Sequence, residues 1–142
     1  MAVEQKSDIV ELKIPCKPEF VGVARLSILG IASRMQMSYD DVEDVRLAVA
    51  EACTTAVSRA MKANKPDTFL TIRSEISDTK LTIEVEDSIP PTSTDLPEVP
   101  QSPDDIDEES IGAMLMELLM DEVKVEASKH GGTLVRLIKY AG

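Results

Sequence analysis

Two polar side chains lie one helical turn apart in the stretch DVEDVRLAVAEACTTAVSRAMK, which runs from Asp41 to Lys62. Glu51 and Thr55 are four positions apart, so on a helix both could reach into one cleft. A carboxylate accepts hydrogen bonds and a hydroxyl donates and accepts them, so such a cleft could bind a polar ligand. A stripe of this kind is also typical of the solvent-exposed face of a surface helix, and this stretch alone leaves both interpretations open.

The helix that would position these two side chains has clear start and stop signals. Ser38 resembles an N-cap, and the acids that follow suit the positive end of the helix dipole. Pro66 disfavours a helical residue before it, so the helix should end near Asn64. The arc expected to pack against a sheet consists of Val42, Val45, Val49, Ala52, Cys53, Ala56 and Ala60. The second stripe consists of Asp44, Ala48, Glu51, Thr55 and Ser58.

Hydrophobic periodicity predicts the other elements. These are an edge strand Ile9–Ile14, a helix over 19–37, hairpin strands Thr68–Ile76 and Lys80–Asp87, a helix capped by Ser110 and ending at Leu119 or Met120, and closing strands over 121–127 and 132–140. The order β-α-α-β-β-loop-α-β-β predicts an α/β two-layer sandwich, with one mixed or mainly antiparallel sheet and the helices on one face.

The stretch from Ser88 to Glu109 has a different composition from the rest of the chain. It contains five of the eight prolines, few large apolar residues and an acidic run at its end. A loop of this length within a small domain is typical of a functional lid or a locally disordered segment. Too little chain follows it for a second domain, so we expect one domain over 1–142.

Composition limits the classes of partner. The net charge of −11 and the pI near 4.5 disfavour nucleic acid, and favour a basic protein or a small ligand. The first residues lack a signal-peptide pattern, and no apolar run has membrane-spanning length, so we expect a cytoplasmic protein. Cys16 and Cys53 have no ligand-like spacing to each other or to His130, which predicts free thiols. His130 lies in a Gly-rich turn sequence, which explains it without chemistry.

Five stretches resemble, in order and spacing, the small anti-sigma-factor serine kinases of Gram-positive bacteria, which share the Bergerat fold of the GHKL ATPases. These stretches are PEFVGVARLSILGIASRM, DVEDVRLAVAEACTTAV, EVED, IGAMLMELLMDEV and GGTLVRLIKY, and together they cover most of the chain. The resemblance implies the histidine-kinase-like ATPase fold, with ATP and Mg²⁺ as cofactors. It also implies a homodimer that binds a sigma factor and an anti-anti-sigma antagonist.

The resemblance also assigns roles to individual residues. Glu51 would be the general base of phosphoryl transfer, and Asp87 would bind the amino group of adenine. Gly112 would help to hold phosphate at a helix N-terminus, and Thr133 would lie near the adenine. Arg25 lies in the helix that relatives use for dimer and partner contacts, although from the residues alone it is an ordinary ion-pairing arginine.

The chain departs from the family pattern at three positions that contact the nucleotide. Thr55 replaces the asparagine that ligates Mg²⁺ in relatives, which leaves a shorter hydroxyl ligand. In relatives a glycine stands two positions after the acid that corresponds to Asp87, and here that position is Ile89. Relatives also have a G-x-G motif whose second glycine corresponds to Gly112, and here Ser110 replaces its first glycine. The proline-rich loop falls where relatives carry the ATP lid.

Two functions remain open at this point. One is an anti-sigma factor that uses MgATP to phosphorylate a serine of its antagonist. The other is a protein-binding module on the same fold that captures its partners without nucleotide.

Overall fold

The computed structural model describes residues 7–91 and 108–141. Its sheet has five strands in the order β1-β2-β3-β5-β4, and each of the four pairings is antiparallel. The strands are β1 Asp8–Pro15, β2 Phe69–Ile76, β3 Lys80–Asp87, β4 Glu122–Ala127 and β5 Thr133–Tyr140. The helices are α1 Val21–Ala32, which follows a 3-10 turn Pro18–Phe20, α2 Tyr39–Lys62 and α3 Glu108–Leu119. The two-layer sandwich predicted from the sequence is confirmed, and the sheet is antiparallel throughout the described strands.

The two faces of the sheet differ in chemistry. In β3, alternate residues from Leu81 to Asp87 are buried, and they join one core with the helices. The opposite face carries charges that oppose each other between neighbouring strands, in the row Glu11, Arg73, Glu84 and Arg136. This alternation is expected for an antiparallel sheet that has a core on one side and water on the other.

Helix α2 lies across the core, and its ends follow the signals in the sequence. The Ser38 hydroxyl accepts the Asp41 N–H at 3.1 Å, which satisfies one free donor of the first turn. Every residue of the predicted core arc is buried, so this part of the prediction is confirmed. The helix begins at Tyr39, directly after the predicted N-cap Ser38, so this part of the prediction is also confirmed.

Helix α1 is shorter than the predicted helix over 19–37. It ends at Ala32, where the Ser33 hydroxyl donates to the Leu29 carbonyl at 2.7 Å. Val23 and Leu26 are among the apolar residues that recur at helical intervals in this stretch, yet they are 45% and 70% exposed. The buried residues of α1 are Ala24, Ile28, Ile31 and Ala32, so only one side of the helix packs on the core.

Helix α3 begins at Glu108, and the prediction that Ser110 caps it was wrong. Acidic residues in the first turn suit the helix dipole, so the helix extends further back than the serine signal suggested. Residues 92–107 of the predicted loop lie outside the described residues. Helical periodicity predicts an apolar face of α3 that consists of Ile111, Met114, Leu115, Leu118 and Leu119. The first four of these are exposed, and Gly112 and Met116 are buried instead, so the predicted face was wrong.

The remaining sequence predictions concern thiols, the turn histidine and membrane spans. Cys16 and Cys53 are free and buried. His130 is exposed in the turn between β4 and β5. Within residues 7–91 and 108–141, no helix is long and apolar enough to cross a bilayer.

Candidate functional site

The first cluster of the candidate site lies where α3 crosses α2. A Cβ atom added at Gly112 would lie 3.1 Å from Glu51 Oε2 and 3.2 Å from Thr55 Oγ1. Glu51 and Thr55 are half-buried, and Ala48 of the same stripe is fully buried. The stripe therefore lies beneath α3, and the interpretation as an ordinary solvent-exposed helix face was wrong.

A buried lysine fixes the direction in which α3 lies on α2. Lys139 of β5 donates from Nζ to the Leu119 carbonyl, at 2.8 Å, in the last turn of α3. The same Nζ lies 3.8 Å from Asp41 Oδ1 and 3.9 Å from Asp44 Oδ2, near the start of α2. The end of α3 therefore lies near the start of α2, and this antiparallel arrangement brings Gly112 over the middle of α2.

The oxygen atoms at this crossing suit a magnesium ion. The Thr55 hydroxyl donates to the Glu51 carbonyl at 2.9 Å, which leaves its oxygen lone pairs free to accept. Carboxylate and hydroxyl oxygens are hard donors, and Mg²⁺ usually takes only one or two protein ligands beside water and phosphate oxygens. Among the described residues no group of three His, Cys, Asp or Glu could hold a metal. Thr55 therefore fits Mg²⁺ as one of the few protein ligands that this ion takes beside water and phosphate oxygens.

The second cluster surrounds Asp87 at the end of β3. Its Oδ2 accepts from Arg59 Nη2 at 2.6 Å, and its Oδ1 accepts the Ile89 N–H at 2.8 Å. The Ile89 carbonyl in turn accepts the Thr133 hydroxyl at 2.7 Å. Asp87 and Thr133 are also paired in the register of β3 and β5. The structure thus brings these two predicted residues together.

Gly132 allows the chain to pass closely over the end of β3. A Cβ atom at this position would lie 1.8 Å from the Asp87 carbonyl oxygen, closer than any side chain tolerates. The turn before β5 can therefore approach Asp87 only because Gly132 has no side chain.

Arg59 was missed in the sequence interpretation, and it connects the second cluster to α2, the helix that carries Glu51 and Thr55. It follows Thr55 by four positions and Glu51 by eight. Helical geometry therefore places Arg59 about 12 Å further along α2 than Glu51. Its side chain is buried and reaches Asp87. A long cation at the edge of the buried arc of α2 was a signal that could have indicated this contact.

Arg25 contacts neither cluster. It is exposed on α1 and forms no ion pair with any residue in the ranges 7–91 and 108–141. Arg25 was interpreted as an ordinary ion-pairing arginine, but it has no acidic partner within these ranges.

The sequence similarity to known proteins extends over nearly the whole chain. The family model described as "Histidine kinase-like ATPase domain" matches residues 14–139. The chain is 37% identical to the serine-protein kinase RsbW of Bacillus subtilis, over 97% of this chain and 89% of the relative. The chain belongs to the RsbW family of serine-protein kinases. Its identity to the RsbW of Bacillus licheniformis is 40%, with the same coverage. Staphylococcus aureus RsbW is 34% identical, over 97% of this chain and 90% of that relative.

A solved structure shows that the RsbW-type fold is also shared. The match is to the crystal structure of the RsbU and RsbW domains of a Mycobacterium tuberculosis protein, with a TM-score of 0.67 and 14% identity. It covers 93% of this chain and 32% of that chain. Membership of the RsbW family confirms the resemblance inferred from the five sequence stretches.

Proposed function

We propose that this chain is an anti-sigma factor that binds a sigma factor and an anti-anti-sigma antagonist, and that transfers the γ-phosphoryl group of ATP to a serine of the antagonist. The observation that supports this most strongly is the meeting of Glu51, Thr55 and Gly112 where α3 crosses α2. Membership of a family of serine-protein kinases supports the type of reaction.

Glu51 acts in this proposal as the general base. Its carboxylate accepts the proton of the serine hydroxyl while the serine oxygen bonds to phosphorus and the bond to the ADP oxygen breaks. The half-buried position suits this role, because α3 shields the carboxylate from bulk water while one side stays accessible. The distance between Glu51 and Gly112 leaves little freedom for the carboxylate to move away.

Thr55 and the first turn of α3 serve the phosphate groups. Thr55 would hold Mg²⁺, which supplies charge neutralisation at the phosphates when it is bound. The first four N–H groups of a helix lack partners within it, so those of residues 108–111 are available to phosphate. Gly112 lies in the second turn, and in this proposal it lets α3 approach Glu51 closely.

Asp87 and Thr133 serve the base of the nucleotide. The Asp87 carboxylate accepts from the amino group of adenine, because each of its oxygens can accept a further hydrogen bond. Thr133 positions Ile89, whose N–H in turn holds the carboxylate in place.

Helix α1 serves protein partners in this proposal. Val23 and Leu26 are exposed apolar residues on α1, three positions apart, with Arg25 beside them. Residues with this spacing lie on one side of a helix, so they offer an apolar strip to a second copy of the chain, and Arg25 adds a charge for an acidic group of a partner.

The direct test uses ATP, Mg²⁺ and the anti-anti-sigma protein of the same organism. We expect calorimetry to show ATP binding that strengthens with Mg²⁺, and mass spectrometry to show one phosphoserine on the antagonist. Binding of the antagonist without any nucleotide binding or phosphorylation would contradict the kinase and favour the nucleotide-independent module.

A further inference from the structure

The buried pair of Arg59 and Asp87 leaves one donor of the arginine without a partner among the described residues, as is also true of Nε in Arg46, but only Arg59 is buried beside a residue of the candidate site. Arg59 is 8% exposed, and one of its guanidinium nitrogens donates to Asp87 Oδ2 at 2.6 Å. Its Nε is buried and has no hydrogen-bond partner in the part of the chain that the structure describes. A donor N–H is therefore held in a buried position near the carboxylate, without an acceptor among the described residues.

An unsatisfied buried donor is costly, and native proteins contain few of them. Removing a guanidinium from water is also costly, even when a carboxylate lies beside it. A hydroxyl donor could hold the Asp87 carboxylate without leaving a second donor unpaired, because it has a single O–H. The presence of an arginine with an unpaired Nε–H at this position is explained if a ligand supplies the missing acceptor.

The chemistry of the pair defines that acceptor. Asp87 is an acceptor and Arg59 is a donor, and their side chains meet at the end of β3. Adenine presents a donor amino group with an acceptor ring nitrogen on either side of it, N1 and N7. Guanine presents a carbonyl in place of the amino group, which would place an acceptor against the carboxylate.

We propose that Arg59 is a specificity-determining residue of the nucleotide site. Its guanidinium donates to a ring nitrogen next to the adenine amino group, while Asp87 accepts from that amino group. This inference rests on the proposed binding of ATP and adds a second base-reading side chain to it.

The test compares ATP with two analogues that each lack one ring nitrogen, 1-deaza-ATP and 7-deaza-ATP. For the wild-type chain, we expect calorimetry to give a Kd about tenfold higher for one analogue than for ATP, as is usual for one lost hydrogen bond. In Arg59→Met, ATP should bind about as weakly as that analogue, so the difference between the two ligands should fall below about twofold.

Two further variants separate base reading from folding. Arg59→Lys keeps a cation beside Asp87 but loses the guanidinium fork, so we expect it to remain folded by circular dichroism and still to lose the discrimination. If Arg59→Met does not fold, Arg59→Lys carries the test. Arg73→Met changes an exposed arginine on the opposite face of the sheet and should discriminate as the wild type does.

The outcomes distinguish this inference from the proposed function. If the wild type binds ATP and both analogues equally, or if the difference persists in both Arg59 variants, the role of Arg59 is wrong while ATP binding stands. If the wild type binds no ATP, the nucleotide step of the proposed function fails and the role of Arg59 fails with it.

Discussion

At the scale of single residues, the closest approach in the site is between Gly132 and the end of β3. A Cβ atom at position 132 would meet the Asp87 carbonyl oxygen at 1.8 Å, and this oxygen belongs to the backbone of a strand that is paired with β5. Gly22 differs, because a Cβ atom there would meet nothing within 4 Å. The two glycines therefore form a matched pair for substitution.

We expect Gly132→Ala to lower the free energy of unfolding by about 3 kcal/mol or more, because an atom is forced into occupied space. Gly22→Ala should change it by less than about 1 kcal/mol, since alanine favours a helix. Urea denaturation followed by circular dichroism measures both. Equal losses in the two variants would show that the contact at Gly132 is not the cause.

The buried thiol of Cys53 makes stability depend on pH in the alkaline range. Burial raises the pKa of Cys53 from 9.0 to about 12. Between these values the unfolded chain releases a proton that the folded chain keeps. The contribution of Cys53 is therefore complete below pH 9 and is lost as the pH rises, by about 1.4 kcal/mol per unit. We expect Cys53→Ala to lose less stability than the wild type between pH 8 and pH 10 in urea titrations. Identical losses would contradict this assignment.

The residues of the site could be predicted from the sequence to different extents. Glu51 and Thr55 lie four positions apart in one helix, so their proximity follows from helical geometry alone. The contact between Asp87 and Arg59 spans 28 positions and depends on how α2 crosses the sheet. Local pattern does not encode that crossing, so the sequence indicated the carboxylate and not its arginine.

At the scale of secondary-structure elements, the position of α3 on α2 determines what surrounds Glu51. Lys139 holds the end of α3, and Gly112 permits the close contact in its second turn. The position of α3 should therefore affect chemistry more than stability.

We expect Gly112→Ala to remain within about 1 kcal/mol of the wild type in stability, because alanine favours a helix and the flexible end of Glu51 can move aside. Phosphoryl transfer should fall about tenfold or more, since the displaced carboxylate is badly placed for the reaction. Denaturation and a phosphorylation assay measure the two effects. Unchanged transfer would mean that this contact does not position Glu51.

The helices were predictable in proportion to the clarity of their signals. Helix α2 has a serine cap, acids in its first turn and a proline beyond its end, and every residue of its predicted core arc is buried. The arc did not include Ala48, Val57 and Arg59, which are buried as well. Helix α1 is apolar on nearly all sides, so periodicity could not show which side remains exposed. In α3, Ile111 and Leu118 face outward while Gly112 and Met116 face inward, because Gly112 lies against another helix at close range.

At the scale of the whole molecule, the apolar strip of Val23 and Leu26 on α1 is the proposed dimer contact. Leu26 is 70% exposed, and the comparably exposed Leu118 of α3 offers a control at 80%. We expect the wild type to be dimeric by light scattering at micromolar concentration, and Leu26→Asp to be monomeric because a charge opposes burial. Leu118→Asp should remain dimeric. A monomeric wild type, or a dimeric Leu26→Asp, would contradict the role of α1.

The most direct test of the account concerns Glu51 as the base. We expect Glu51→Gln to lower the rate of phosphoryl transfer to the antagonist by about a hundredfold to ten-thousandfold, because an amide cannot accept the serine proton. The affinity for ATP measured by calorimetry should change little. Glu117→Gln, which changes an exposed acid of α3, should transfer phosphate at the wild-type rate. Transfer by Glu51→Gln at the same rate as by Glu117→Gln would contradict the account.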